Sequence, residues 1–384
     1  MLTSRERVII ALNHEEPDRV PMDLTITELA YRNLAEFLGV AIEEPLSISS
    51  FTEVRPSVTI LKKLGVDITY IKLSSPHKRR GYRSTSGDIL VDEWGIKMKK
   101  VPLPSGGFYF EDVEAPLATA TIDDLERHPW PDPNDPGWGE EVEEKAKRLY
   151  EETDLALMGR FGGPVWETAY RMRGYSQCLM DLIVNPDFAS ALLGKICELQ
   201  IAFDKIGLQA AGKYLQVFKV SGEDLGIQTG PMISPETFRM MLKPWLCKRW
   251  RAAKREFLSH NPDGEIMLHS CGSVRIFIKD LIECGIDILD PIQVGAARME
   301  LVELKEEFGD RLVFHGGIDT QQVLPFGTPR QVEEEVKRRI KALAPGGGYI
   351  LAPVHNVQAD VPPENLVAMC EAAIKYGQYP LNLS

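Results

Sequence analysis

Short β-rich apolar runs alternate along this chain with longer stretches of helical periodicity, and eight such runs can be counted. They are VPMDLTIT (20–27), VDITYIKL (66–73), DLALMGRFGG (154–163), YLQVFKVSGEDL (214–225), EIMLHSCGS (265–273), GIDILDPIQ (285–293), LVFHGGIDT (312–320) and GYILAPVHN (348–356). This is the order of parallel βα units. SVRIFIKDLIEC, RMELVELKEEFGD and TPRQVEEEVKRRIKALAPGGG, between the later runs, each read as one amphipathic helix with a glycine-containing stop. Eight units are what a closed (β/α)8 TIM barrel requires. An open doubly wound α/β sheet fits the alternation nearly as well, but no phosphate-binding GxGxxG follows the first run, so the count favours the barrel.

With 384 residues, 44% apolar and 26% charged, the chain can bury a large core. The expectation is one barrel domain over 1–384, opened by a helical segment that Thr3 or Ser4, with Glu6 or Arg7, would cap. An insertion over about 78–136 follows the second run. Its first part, GYRSTSGDILVDEWGIKMKKVPL, predicts a β-hairpin or small sheet around Gly87 and Gly95, serving as a lid or as a dimer contact. Its second part, ATIDDLERHPWPDPNDPGW, reads as a proline- and aspartate-rich loop through which no helix continues.

A net charge of −12 argues against nucleic acid and anionic membranes as partners, since no stretch supplies a basic face. No run approaches the apolar length of a membrane span, and the N-terminal apolar stretch is too short for a signal peptide. Cys178, Cys197, Cys247, Cys271, Cys284 and Cys370 fall at irregular spacings. A reduced, cytoplasmic chain is expected from them.

In a parallel barrel the C-terminal strand ends converge on one rim, where barrel enzymes place their chemistry. Asp23, Thr25, Lys72, Arg160, Glu223, Asp224, His269, Cys271, Asp290, Gln293, His315, Asp319, His355 and Asn356 all lie at or near such ends. His269 and Cys271 are two apart, so on a strand they point the same way and can hold one ion. Zinc takes imidazole and thiolate in a tetrahedral shell, and a catalytic zinc keeps one position open by using three protein ligands. His355, ending the eighth run, is the first candidate for the third ligand and His315 the second. Against the metal stands the ordinary alternative of a buried thiol beside a hydrogen-bonded histidine. Glu223 and Asp224 are candidates to protonate a leaving group or orient a ligand, with helix capping or an inter-loop salt bridge as the bland alternative. Asn356 is a candidate hydrogen bond to substrate, and Trp166 and Tyr170 read as pocket wall. His14, His77, His128 and His260 fall in loops or helix ends and are expected to be solvated.

NHEEPDRVP, GPMISPETFRMMLKPW, LHSCGS, FHGGIDTQQVLPFGTP and GGGYILAPVHNVQADVPPENL together resemble the uroporphyrinogen decarboxylase superfamily, and the likeness runs through most of the chain. The resemblance implies a (β/α)8 barrel. It also implies one of two chemistries. True decarboxylases of that superfamily need no metal and hold a polycarboxylate with arginines just after the first strand. Here that segment, MDLTITELAYRNL, has no arginine before Arg32. The other branch comprises methyltransferases that work with corrinoid proteins and bind zinc through a histidine and a cysteine two apart plus a distant third ligand, usually cysteine. LHSCGS matches the first two as His269 and Cys271, and the spacing to VPPEN puts the third on His355, a departure from the commoner cysteine. A His2Cys shell carries one less negative charge than HisCys2 and is the stronger Lewis acid.

The resemblance therefore implies a zinc (Zn2+) methyltransferase moving a methyl group between a small methylated substrate, a methyl ether or amine, and a corrinoid supplied by a separate partner protein. No DxHxxG corrinoid signature occurs in this chain. His315 is then expected to sit behind the metal and fix a ligand's orientation. The two competing expectations are a carboxy-lyase acting on a tetrapyrrole or smaller acid, and a non-catalytic binding partner in a corrinoid system.

Overall fold

The computed structural model describes residues 2–43, 52–78, 81–84, 86–104 and 106–382. Seven of the eight runs form parallel strands: β1 (Ile68–Lys72), β2 (Ala156–Arg160), β3 (Val217–Gly222), β4 (Glu265–His269), β5 (Ile288–Ile292), β6 (Val313–Ile318) and β7 (Tyr349–Pro353). They are laddered side by side in chain order. The first run closes the ring between β7 and β1: Asp23 N–H donates to the Leu351 carbonyl, Leu351 N–H to that of Pro21, and Asp67 N–H to that of Met22. The result is a TIM-barrel-like fold.

The first run departs from the regular strand expected of it. Pro21 has no N–H to give, and the Met22 N–H turns to the Asp67 carboxylate at 2.8 Å instead of to a backbone carbonyl. Only Ile26–Thr27, at the end of the run, is a strand, and it pairs antiparallel with Glu53–Val54.

Inward-facing positions alternate along each strand and stack in layers. Ile68, Ala156, Val217, Met267, Ile288, Val313 and Ile350 supply one apolar residue per strand and fill the ring. Val8 and Leu12 join that layer, so the helix Ser4–Leu12 plugs the end where the strands begin. Thr3 and Glu6 cap this helix reciprocally. One step further along the strands the inward positions become Lys219, His269, Asp290 and His315, and the polar groups collect at the opposite end.

The insertion is larger than a hairpin. Tyr82–Arg83, Ile89–Val91, Lys97–Pro102 and Phe108–Glu114 form a four-stranded antiparallel sheet, with Arg79, Arg80, Thr85 and Ser105 lying outside the described residues. It is tied to the barrel mouth by the Arg171–Asp112 ion pair at 2.7 Å and by the Gln358 amide donating to the Tyr109 hydroxyl. In its second part a helix, Ile122–Arg127, does form, because Thr121 and Asp124 cap it and it stops before Pro129.

The expectation of six free thiols is corrected. Cys247, on the helix Lys243–His260, and Cys284, closing the helix Ile278–Glu283, are joined as a disulfide with their Cα atoms 4.6 Å apart. The other four cysteines are free. Of the four histidines expected in solvent, His77 is exposed, while His14, His128 and His260 are half-buried against neighbouring elements. Among the described residues no helix is long and apolar enough to cross a membrane.

Candidate metal centre

β4 ends at His269, and the chain then turns sharply. Gly272 makes the turn with φ +83°, and a Cβ there would fall 2.4 Å from the Gly226 carbonyl carbon, so a side chain is excluded on both counts. The turn leaves Cys271 beside His269, with Sγ 3.2 Å from Nε2. His355, just past β7, comes from the far side of the sheet, its ring centroid 5.9 Å from that of His269. One donor atom from each of His269, Cys271 and His355 lies within 4.8 Å of the other two. Donors around a tetrahedral zinc sit roughly 3.4–3.6 Å apart, given its usual bond lengths, so the three need only small side-chain adjustments to share an ion. The donor set, two imidazoles and a thiol, suits that metal.

The groups behind these three orient them. Asp290 Oδ2 accepts from His269 Nδ1 at 2.8 Å and from Lys219 Nζ at 2.6 Å, and its Oδ1 accepts from His315 Nδ1 at 2.8 Å. Burial alone would raise the Asp290 pKa, but Lys219, His315 and His269 together hold it well below the usual carboxylate range. Asp224 Oδ1 accepts the Cys271 N–H at 2.9 Å and lies 4.0 Å from His269 Nε2. Burial, reinforced by Asp224 and Asp290, pushes the Cys271 thiol well above its ordinary value. His355 opens onto the mouth, yet protein surrounds that mouth on most sides. This desolvation, with the His269 ring alongside, lowers its pKa to about 4 and leaves a neutral imidazole able to ligate.

The remaining predicted residues separate. His315 is buried with both ring nitrogens engaged, Nδ1 to Asp290 and Nε2 to Asp23 at 3.1 Å. It has no nitrogen left for a metal and touches the site only through Asp290. Glu223 turns into the wall: fully buried, it accepts the N–H groups of Val165 at 2.6 Å and Trp166 at 2.8 Å, where the helix Trp166–Arg173 begins, with Arg249 at 3.9 Å. Its place is that of a capping group, the bland alternative weighed for it. Asn356 follows His355 in the loop and is half-buried. Trp166 is core and Tyr170 half-buried beside it, their rings 5.4 Å apart.

Two groups went unnoticed in the sequence. Glu167 Oε1 accepts the Asp224 N–H at 3.1 Å, and burial together with Asp224 raises its pKa well above the usual carboxylate value. Lys219 had a visible signal, a cation at an inward position of VFKVSG between Val217 and Ser221.

The family model described as "Uroporphyrinogen decarboxylase (URO-D)" matches residues 106–376. A methylcobamide:CoM methyltransferase of Methanosarcina barkeri is 25% identical over 224 residues, covering 58% of this chain and 59% of its own length. The chain thus spans about three fifths of that relative. A uroporphyrinogen decarboxylase of Proteus mirabilis is 22% identical over 274 residues, covering 69% of this chain and 72% of its own. Among solved structures, a methyltransferase from Methanosarcina mazei superposes with a TM-score of 0.64 at 19% identity, covering 98% of this chain and 99% of the other, a likeness of fold.

Proposed function

The chain belongs to the uroporphyrinogen decarboxylase family, and from that premise we propose that it is a zinc-dependent methyltransferase serving a separate corrinoid protein. Its substrate is a small methyl ether or methylated amine. The observation that carries this reading is the meeting of His269, Cys271 and His355 donor atoms within 4.8 Å at the barrel mouth. The methyltransferase from Methanosarcina barkeri among the relatives supports it.

His269, Cys271 and His355 would hold the metal. When bound there, zinc supplies a Lewis acid that stabilises negative charge on the heteroatom losing its methyl group. A reduced corrinoid on the partner would be the methyl acceptor; the old bonding pair would stay on the heteroatom, which would take a proton. Asp290 and Lys219 fix the His269 ring, and Asp224 holds the Cys271 backbone. Glu167, whose carboxyl is pushed toward the protonated form by burial and by Asp224 beside it, is placed to give up a proton there.

Metal analysis of the purified chain together with a methyl-transfer assay tests this. Near one zinc per chain is expected, lost in His269→Ala and in Cys271→Ser, with methylation of an added corrinoid protein from a methyl ether or amine. Metal-free protein that consumes uroporphyrinogen would replace the reading with decarboxylation. A chain that binds the corrinoid protein but turns over no methyl donor would replace it with a binding role.

A further inference from the structure

The ends of β1 and β2 carry a second charged cluster at the mouth, which the metal centre does not use. Ile68, Tyr70 and Lys72 alternate inward on β1, as Ala156, Met158 and Arg160 do on β2, and the two strands are paired with Lys72 opposite Arg160. Both cations lean on one carboxylate. Glu53, whose side chain is 4% exposed, receives Arg160 in a close ion pair and Lys72 Nζ at 3.4 Å. Among the described residues the trio of Lys72, Arg160 and Glu53 carries a net positive charge, and Glu93, which lines the adjoining cavity, is not free but has a partner of its own. Lys219, the next inward cation, does not change that count, because Asp290 matches it at 2.6 Å. The crowding is visible in Lys72: its side chain is 38% exposed, yet the surrounding walls of the mouth and then Arg160 lower it to about 8.

A cavity of about 340 Å3 opens beside this pair, lined by Lys72 and Arg160 and walled by the aromatic rings of Trp94, Trp138 and Phe161. Trp94 comes from the insertion, so the insertion completes the cavity. Ser221 of β3 also lines it. The next residue, Gly222, passes so close to the metal centre that a Cβ there would lie 3.2 Å from His269 Cδ2. The cavity thus reaches the end of β3, one residue before the position that packs against His269.

Flat rings stack on aromatic walls, and a guanidinium with a neighbouring ammonium pairs best with an oxyanion. A pocket of this size with a few convergent polar groups fits a small molecule. We propose that this cavity binds the anionic end of the methyl donor through Lys72 and Arg160, and that the donor is an aryl methyl ether bearing a carboxylate or sulfonate. The assignment of the ligand as methyl donor rests on the methyltransferase reading, whereas the charge preference of the cavity is independent of it.

Titration calorimetry on the zinc-loaded full chain, with 4-methoxybenzoate, 4-methoxybenzenesulfonate and neutral 4-methoxybenzamide as probes, tests the proposal. At least one anion is expected to bind about tenfold or more tighter than the amide, as a charge-assisted contact implies, and which anion wins tells carboxylate from sulfonate. Lys72→Met should remove most of that advantage and leave the amide unchanged. Glu53→Gln releases both cations from their internal partner and should tighten the anion about threefold or more, a gain that misfolding cannot imitate. Equal binding of acid and amide, no binding of either anion, or variants that move acid and amide together would each overturn it. Zinc content and methyl transfer are read separately, so a chain that keeps the anion preference but transfers no methyl group fails only the methyltransferase reading.

Discussion

His269 Nδ1 and Asp290 Oδ2 face each other across 2.8 Å, and that contact decides which ring nitrogen looks into the barrel mouth. With Nδ1 donating to the carboxylate, Nε2 carries the lone pair and points toward Cys271 Sγ at 3.2 Å. Asp290→Asn replaces the charged acceptor with a neutral amide and loosens the ring. Zinc affinity is expected to fall about 10- to 100-fold, the usual cost of losing such a supporting carboxylate. Competition against a chelator of known affinity measures it, with circular dichroism as the control for folding. Unchanged affinity would sever Asp290 from the metal centre.

Zinc uptake should expel a proton. The Cys271 thiol is held protonated by burial and the surrounding carboxylates, whereas His355, lowered to about 4, is already neutral. Only the thiolate ligates, so zinc competes with one proton, and affinity should fall about tenfold for each pH unit lost across pH 8 to 6. Proton release measured in two buffers of different ionisation enthalpy checks the count. In Cys271→Ser the pH slope should flatten along with the affinity.

The same contacts show what the sequence could and could not reveal. The alternation of runs, and the polar residues ending them, were readable because inward positions recur every second residue and the strands all point one way. His269, Cys271 and His355 stood out on that basis. Their supporting groups did not, because partnership across strands is set by register: His269 is opposite Asp290 in the β4–β5 ladder, a pairing absent from either segment alone. Glu223 and Asp224 are sequence neighbours with opposite fates, since β3 ends at Gly222 after Ser221 takes φ +80°, and the alternation lapses there. The Cys247–Cys284 pair depends on how two distant helices dock, for which local spacing carries no signal.

Glu223 supports the wall, and its removal should appear as lost stability. Glu223→Ala strands the buried N–H groups of Val165 and Trp166 and takes a carboxylate away from Arg249, an uncompensated loss of about 2–4 kcal/mol. Urea unfolding monitored by tryptophan fluorescence measures it. Glu223→Gln keeps an acceptor for one of the N–H groups and should recover part of the loss. Full stability in the alanine variant with abolished methyl transfer would return Glu223 to the catalytic role first considered for it.

His315 should make the metal-free chain lose stability in alkali. Burial opposes its charge, but the carboxylates of Asp290 and Asp23, one on each ring nitrogen, outweigh that and raise its pKa to about 9. An unfolded histidine titrates near 6.5. Between those values the folded chain binds the extra proton, so the contribution is complete below pH 6.5, declines as pH rises, and is gone above about pH 9. The pKa gap corresponds to roughly 3–4 kcal/mol at most. Glu223 and Lys72 titrate in the same window, at about 7 and about 8, so the informative quantity is the difference between wild type and His315→Gln. That difference, taken from urea melts of chelator-treated protein, should shrink steadily from pH 6 to pH 9.5. Asp23→Asn removes one of the two carboxylates, lowers the folded pKa, and should make the decline smaller and finish it at lower pH, its onset still set by the unfolded histidine. A difference that stays level across the range would mean His315 is neutral in the folded chain, and the Asp23–His315–Asp290 chain would then be held by hydrogen bonds without a cation at its centre.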